Sequence, residues 1–235
     1  MPAEQALTEV RRRVGPSYGP GSGGSNSWRA RLEESAALIA PLTLIGGLAL
    51  AGGGFDLSAR HIAGLAVWLV VVGLLAFGVA ARASLGKPFY WASGLILGLA
   101  LFSAISSLWS GSIELSVTEA DRVLVYLGFF LAAFLIAQTD QRRQRFAEGI
   151  AIALALIAFA ALATRLLPPA FDAGPGLGSG PRLRYPLGYW NANGLAFGIG
   201  VTMLLWMSRR SLTASLRWLA VASLPVLLLA LYFTY

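Results

Sequence analysis

Seven apolar stretches, each close to the length of a membrane-spanning helix, follow one another along most of this 235-residue chain. They cover residues 35–54, 61–80, 89–109, 123–138, 149–167, 188–207 and 217–235. A helix rises about 1.5 Å per residue, so about 20 apolar residues cross the roughly 30 Å of hydrocarbon in a bilayer. Lipid offers no partner to an open strand edge, so such segments must be helical. The sequence predicts an all-α, polytopic transmembrane helix bundle of about seven spans, with the short stretch 123–138 extended at one end.

Composition excludes several other classes. The chain is 57% hydrophobic and 12% charged, outside the range of soluble globular domains. It has no cysteine and one histidine, His61, so we predict no metal bound by protein ligands and no cofactor. The net charge of +7 comes from short basic clusters between apolar stretches, which predicts contact with membrane lipids and no nucleic-acid partner.

Two regions differ sharply in polarity. Residues 1–33 are rich in Gly, Ser, Pro and Arg and predict a disordered cytoplasmic tail. Residues 34–235 form the predicted transmembrane domain. The last stretch runs to Tyr235 with no polar flank, so we expect the chain to be the N-terminal, truncated part of a larger bundle.

The basic residues predict an orientation. When successive connections are assigned to alternate sides, thirteen of the 18 Lys and Arg residues fall on the side of the N-terminus and five on the other. The positive-inside rule then makes the N-terminus cytoplasmic and places residues 55–60, 110–122 and 168–187 outside.

Small residues and prolines predict how the helices pack. Gly94 and Gly98, like Gly194 and Gly198, are four residues apart and would let neighbouring helices approach closely. Packing within one chain is the favoured interpretation, and a dimer face is the alternative. Pro41 and Pro225 lie inside apolar stretches and predict kinks.

The polar residues around the start of the sixth stretch form a candidate substrate-binding site. Its members are Arg182, Arg184, Tyr189, Trp190 and Asn191, and we expect Asn193 beside them at the membrane surface. Guanidinium groups bind phosphate oxygens in pairs, amides bond to sugar hydroxyls, and aromatic faces stack on rings. The set suits a sugar diphosphate presented from the bilayer. The alternative is that the arginines only touch lipid head groups and the aromatic residues only anchor the helix.

Acidic residues in 110–122 are weaker candidates. Glu114, Glu119 and Asp121 could act as general bases, but acids in a solvated connection seldom do, and Glu119 with Arg122 has the spacing of a helical ion pair. His61 is interpreted as an interfacial anchor. We predict no catalytic residue among them.

Two segments resemble a known family. The segment PRLRYPLGYWNANGLAFGIG resembles the Arg-Leu-x-x-Pro-hydrophobic-Gly-Tyr-Trp-Asn pattern of the bacterial O-antigen ligase and O-antigen polymerase superfamily. The segment SSLWSGSIELSVTEADRVLVYLGFF is similar to that family's third-span end and entry to the fourth span. The resemblance covers most of residues 35–235.

The resemblance implies a GT-C-like glycosyltransferase at the outer face of the bacterial inner membrane. Such enzymes transfer a glycan from undecaprenyl diphosphate to a lipid or sugar acceptor without a metal ion. Arg182 matches the arginine that holds the donor diphosphate, and Asn191 matches the asparagine at the helix start, whereas Arg184 has no assigned counterpart. The family's general-base histidine and a second arginine belong to a later outer loop, so this chain would be the donor-side part and catalytically incomplete.

Two other classes stay open. A transporter or flippase module would carry charges or broken helices at the bilayer midplane, and no predicted stretch has a charge at its middle. A non-catalytic membrane scaffold is the third possibility.

Overall fold

The computed structural model describes residues 24–78, 85–167 and 182–235. It divides into two units, residues 1–32 and 33–235, and of the first unit only the opening turns of helix α1 are described. The described residues form seven α-helices in this order: α1 Gly24–Leu50, α2 Leu57–Ala76, α3 Lys87–Ile105, α4 Ile113–Ile136, α5 Asp140–Leu166, α6 Trp190–Arg210 and α7 Ala214–Tyr232. The described residues contain no strand. The predicted all-α polytopic bundle is confirmed.

Each predicted apolar stretch overlaps one α-helix of the structure. Among the described residues, five helical segments are long and apolar enough to cross a membrane. These are Trp28–Leu50, Leu57–Ala76, Lys87–Leu108, Asp140–Leu166 and Ala214–Tyr232. Helix α4 carries four charged residues in its first half, and α6 has two asparagines near its start and two arginines at its end. The chain is therefore a membrane helix bundle, and a total of seven spans stays a prediction.

Two boundaries differ from the sequence prediction. Helix α1 begins at Gly24, so it includes the last ten residues that were assigned to the polar tail, while residues 1–23 lie outside the described part of the chain. Helix α4 extends back to Ile113, which confirms the expected extension of the short stretch 123–138. The prediction that 110–122 is a solvated connection is wrong, because most of it is helical.

Short polar side chains begin four of the helices. Asp56 accepts hydrogen bonds from the backbone N–H groups of Ser58 and Ala59 at the start of α2. The hydroxyls of Ser112, Thr139 and Thr213 each accept one N–H bond at the starts of α4, α5 and α7. These caps satisfy donors that have no partner within the helix, so the connections can stay short.

The helices of the 33–235 unit alternate in direction and pack in two groups, α2–α3–α4 and α5–α6–α7. The larger core lies in the second group, where Leu154, Phe197, Leu204, Met207 and Leu227 are buried together. We call the end of the bundle with connections 51–56, 109–112 and 182–189 the upper end, and the end with 137–139 and 211–213 the lower end. The candidate site is at the upper end.

The predicted glycine contacts are largely wrong. A Cβ at Gly94, Gly98 or Gly198 would meet nothing within 4 Å among the described residues, and one at Gly194 would meet only Thr234. The close helix–helix contacts are at other glycines. Their positions depend on where the helices cross and not on the four-residue spacing of glycines in the sequence. They are Gly64 and Gly128 between α2 and α4, Gly149 between α5 and α1, and Gly200 between α6 and α7.

A buried carboxylate joins α5 to the connection between α6 and α7. Glu148 is 0% exposed, and its two oxygens accept bonds from Arg145 Nη1 at 2.9 Å, Ser211 Oγ at 2.7 Å and Leu212 N at 3.3 Å. Glu148 directly precedes the predicted stretch 149–167, and α5 includes it because the helix begins at Asp140. A buried charge with three donors is stable where an unpaired one would not be.

The described basic residues of the 33–235 unit lie near its two ends, with more of them at the lower end. The lower end holds Lys87, Arg142, Arg143, Arg145, Arg209, Arg210 and Arg217, and the upper end holds Arg60, Arg122, Arg165, Arg182 and Arg184. The alternation assumed from the sequence is thus present in the described helices. Which end faces the cytoplasm stays a prediction.

Gly149→Ala should destabilise the bundle. A Cβ at Gly149 would overlap the carbonyl oxygen of Leu38 and lie 2.8 Å from Pro41 Cγ, so α1 must move. Overpacking of this kind costs about 1–3 kcal/mol, seen as a lower Tm by circular dichroism in detergent. Gly98→Ala is the control, because its Cβ meets nothing and alanine favours a helix. Equal losses in both variants would contradict the packing of α1 on α5.

Candidate functional site

The segment 182–189 lies over the ends of α6 and α7 and is held by backbone and amide hydrogen bonds. The backbone N–H of Leu183 donates to the carbonyl oxygen of Phe233 at 2.8 Å. Asn193 is fully buried in the first turn of α6, and its Nδ2 donates to the carbonyl oxygens of Leu183 and Tyr185, each at 3.0 Å. Gly188, with φ of 75°, supplies the left-handed turn into α6. The segment is therefore fixed at three backbone positions.

The two arginines stand on either side of the buried Leu183 and both lie over one indole. The guanidinium carbon of Arg182 is 5.2 Å from the centroid of Trp190, and that of Arg184 is 5.0 Å from it. Because Leu183 points into the core, its two neighbours are exposed. Each cation–π contact contributes about 0.5–1 kcal/mol at an exposed site.

Neither guanidinium is neutralised within the described part of the chain. No carboxylate there lies within 4.0 Å of Arg182 or Arg184. Their shared position over one ring keeps the two charges within about 10 Å of each other, where they repel by about 0.4 kcal/mol in water and more in a less polar medium. An anion bound between them would remove this repulsion and accept their N–H groups.

The remaining predicted residues join the same surface. The rings of Tyr189 and Trp190 are 4.9 Å apart at an angle of 45°, and Asn191 Nδ2 donates to the Tyr189 hydroxyl at 2.7 Å. All five predicted residues therefore come together, and we call them the arginine–tryptophan surface. It offers cationic donors, an aromatic face, an amide and a phenol, which suits an oxyanion attached to a ring.

The expectation that Asn193 lies at the membrane surface is wrong, because its side chain is fully buried beneath the segment 182–189. Successive helical residues are about 100° apart, so Asn191 and Asn193 point to nearly opposite sides of α6. Asn191 is exposed with the surface, whereas Asn193 holds the segment from below. The signal available in the sequence was the two-residue spacing of Asn191 and Asn193, which places the two side chains on different faces of α6. Asn193 Oδ1 is buried without a hydrogen-bond partner among the described residues.

The connection between α1 and α2 borders this segment. A Cβ at Gly53, where φ is 77°, would lie 3.2 Å from the carbonyl oxygen of Leu187. Only glycine combines that backbone conformation with so close an approach. The two connections thus form one continuous part of the upper end.

The weaker candidates lie elsewhere. Glu119 and Arg122 form the expected helical ion pair at 3.0 Å, which confirms that prediction. Asp121 lies 3.5 Å from Arg60 and 3.4 Å from His61, and Glu114 is exposed in the first turn of α4. No hydrogen bond or ion pair within residues 24–78, 85–167 and 182–235 connects these groups to the arginine–tryptophan surface. The same residues contain no group of three or more His, Asp or Glu placed to hold a metal ion.

The fold and this surface together define a class: an all-α membrane helix bundle with a cationic, aromatic surface at one end. No known protein family, curated protein or solved structure matches the chain. The resemblance to O-antigen ligases therefore depends on the two quoted sequence segments alone.

Asn193→Ala should loosen the segment without touching the arginines. The change leaves the carbonyl oxygens of Leu183 and Tyr185 without their donor, which costs about 1–3 kcal/mol. Time-limited trypsin digestion followed by mass spectrometry should show faster cleavage after Arg182 and Arg184. In the control Asn191→Ala, only an exposed bond is lost, so cleavage should match that of the unchanged protein. Equal rates in all three proteins would contradict the role of Asn193.

Proposed function

We propose that the arginine–tryptophan surface binds the diphosphate of an undecaprenyl-diphosphate-linked glycan, and that the chain is the donor-side part of an O-antigen ligase-like glycosyltransferase. One observation carries the proposal. Two exposed guanidinium groups without a described carboxylate partner lie over a single indole, on a segment held by buried hydrogen bonds. Such a surface is preorganised for an anion, because its donors are positioned before the ligand arrives.

The chemistry of glycan transfer fits this composition. When the glycosidic bond to the donor breaks, negative charge develops on the departing diphosphate, and fixed cations stabilise that charge. Arg182 and Arg184 would hold the phosphate oxygens. Tyr189 and Asn191, which are hydrogen-bonded to each other, would face the first sugar with a phenol and an amide.

The surface supports donor binding and not proton transfer. An acceptor hydroxyl must lose its proton to a general base, and histidine and carboxylates are the usual ones. The arginine–tryptophan surface contains neither. Binding and orienting the donor is therefore the part of the reaction that we assign to these residues, with a lipid or sugar as the acceptor.

The transporter alternative has less support. It requires ionisable groups open to a path through the bundle. Glu148 is a fully buried carboxylate, but it lies near the lower end with its oxygens occupied by Arg145, Ser211 and Leu212. A carboxylate engaged in this way stabilises the fold and offers no free site to an ion.

We further propose that the lower end faces the cytoplasm of a bacterium and the upper end faces outward, as the larger number of basic residues at the lower end favours. The absence of native cysteine makes this directly testable. Gly111→Cys places a thiol in an exposed upper connection, and Gln141→Cys places one at the lower end. A membrane-impermeant maleimide should label the first variant in intact cells and the second only after permeabilisation. The reverse pattern would invert the orientation.

Donor binding is tested on the purified chain by native mass spectrometry with undecaprenyl diphosphate. A hydrogen bond to a charged group contributes about 1.5–3 kcal/mol, so Arg182→Gln and Arg184→Gln should each weaken binding by about tenfold or more. Trp190→Leu should weaken it less, by releasing both side chains. Arg210→Gln, an exposed basic residue of the lower end, is the control.

The comparison ligand is phosphatidylglycerol. If it binds the surface as tightly as undecaprenyl diphosphate does, and Arg182→Gln weakens both equally, the arginines are head-group contacts and the proposal fails. Preferential binding of the diphosphate that depends on both arginines supports donor recognition.

A further inference from the structure

A cavity with a cationic wall lies at the upper end, and none of its lining residues belongs to the arginine–tryptophan surface. It has a volume of about 250 Å³ and lies between the α1–α2 connection, α2 and α4. Its polar wall is formed by Arg60, Arg122 and Tyr126. No carboxylate lines it, although Asp121 and Glu119 are sequence neighbours of Arg122. The two charged residues that line the cavity are therefore both cationic.

The guanidinium group of Arg60 lacks hydrogen-bond partners for two of its nitrogens among the described residues. Its side chain is 11% exposed, yet Nε and Nη2 are buried without a hydrogen-bond partner among the described residues. Asp121 balances the charge at 3.5 Å, but its own buried Oδ2 also makes no hydrogen bond. Buried guanidinium donors normally bond to an acceptor, and an oxyanion in the cavity is an acceptor of the right charge.

Arg122 completes the cationic wall from α4. Its Nη1 bonds to Glu119 at 3.0 Å on the exposed side of the helix, where Glu119 is half exposed. Water screens that pair, so it leaves Arg122 able to contribute charge to the cavity. The Tyr126 hydroxyl, one helical turn further along α4, adds a neutral donor.

An apolar cavity adjoins this one. Phe129 lines both, and the second has a volume of about 370 Å³ between α1, α2, α4 and α5. Pro41, Val67, Ile136 and Phe146 are among its walls. This space exists because α1 packs closely on α5 at Gly149 while α2 and α4 pack on each other at Gly64 and Gly128. A cationic pocket at the upper end and an apolar cavity thus share the Phe129 side chain as a wall.

We propose that these two cavities together bind one membrane lipid through its phosphate group, with the phosphate on Arg60 and Arg122 and a hydrocarbon chain along Phe129 into the apolar cavity. A free phosphate would use only the upper cavity, whereas a lipid uses both. The site is separate from the proposed donor surface and adds a second ligand to the chain. A lipid here would fill the space between α1 and the α2–α4 pair.

Native mass spectrometry of the detergent-purified chain with phosphatidylglycerol tests the proposal. The unchanged protein should retain one lipid, and Arg60→Gln should weaken retention by at least tenfold. Ala63→Leu, which keeps both arginines and fills the cavity wall, should weaken it too. The matched control is Arg217→Gln, an exposed arginine of the lower end. Full retention in both Arg60→Gln and Ala63→Leu would overturn the proposal.

Three further measurements distinguish the alternatives. Inorganic phosphate and glycerol 3-phosphate should not compete at millimolar concentration, and competition by either would overturn the lipid assignment. Arg182→Gln should keep the lipid, whereas loss in that variant alone would move the lipid to the donor surface. If Arg60→Gln and Ala63→Leu fail to fold, a photoactivatable phosphatidylglycerol on the unchanged protein decides. Crosslinks to Val125–Phe129 are expected, and their absence there overturns the proposal.

Discussion

The fold depends on the rule that a polar group removed from water must find its partner within the chain. The amide nitrogen of Asn193 and the carboxylate of Glu148 meet that rule at opposite ends of the α5–α6–α7 group. Asn193 donates to two carbonyl oxygens of the segment that precedes α6, and Glu148 accepts from Ser211 and Leu212, which follow α6. Helix α6 is thus fixed to its connections at both ends, while apolar contacts fill the space between.

This arrangement explains why an exposed surface can be preorganised on a short connection. The core of the α5–α6–α7 group fixes the start of α6. Asn193, in the first turn of α6, then holds Leu183 and Tyr185 in place by donating to their carbonyl oxygens. Arg182 and Arg184, on either side of Leu183, then lie over Trp190. The opposite holds between α1 and the α2–α4 pair, where the described residues make no comparable polar contact and a cavity remains.

Much of the architecture was predictable because hydrocarbon permits so few structures. Length and hydropathy gave the seven helices, and residue type gave the membership of the arginine–tryptophan surface. The glycine contacts at Gly94 and Gly98 were not predictable from spacing, since which face of α3 meets a neighbour is decided by the crossing of helices far apart in sequence. The roles of Asn193 and Glu148 were missed for the same reason: their partners lie ten and 63 residues away, and neither distance leaves a local pattern.

The five arginines of the upper end differ in the groups that they contact, and this difference bears on function. On the proposed orientation this end faces outward, where basic residues are disfavoured. Arg60 and Arg122 lie beside Asp121 and Glu119, and Arg165 lies over Phe233. Arg182 and Arg184 share one indole and have no described carboxylate. Folding alone does not require two like charges at that position, which is why we propose an external anion as their partner.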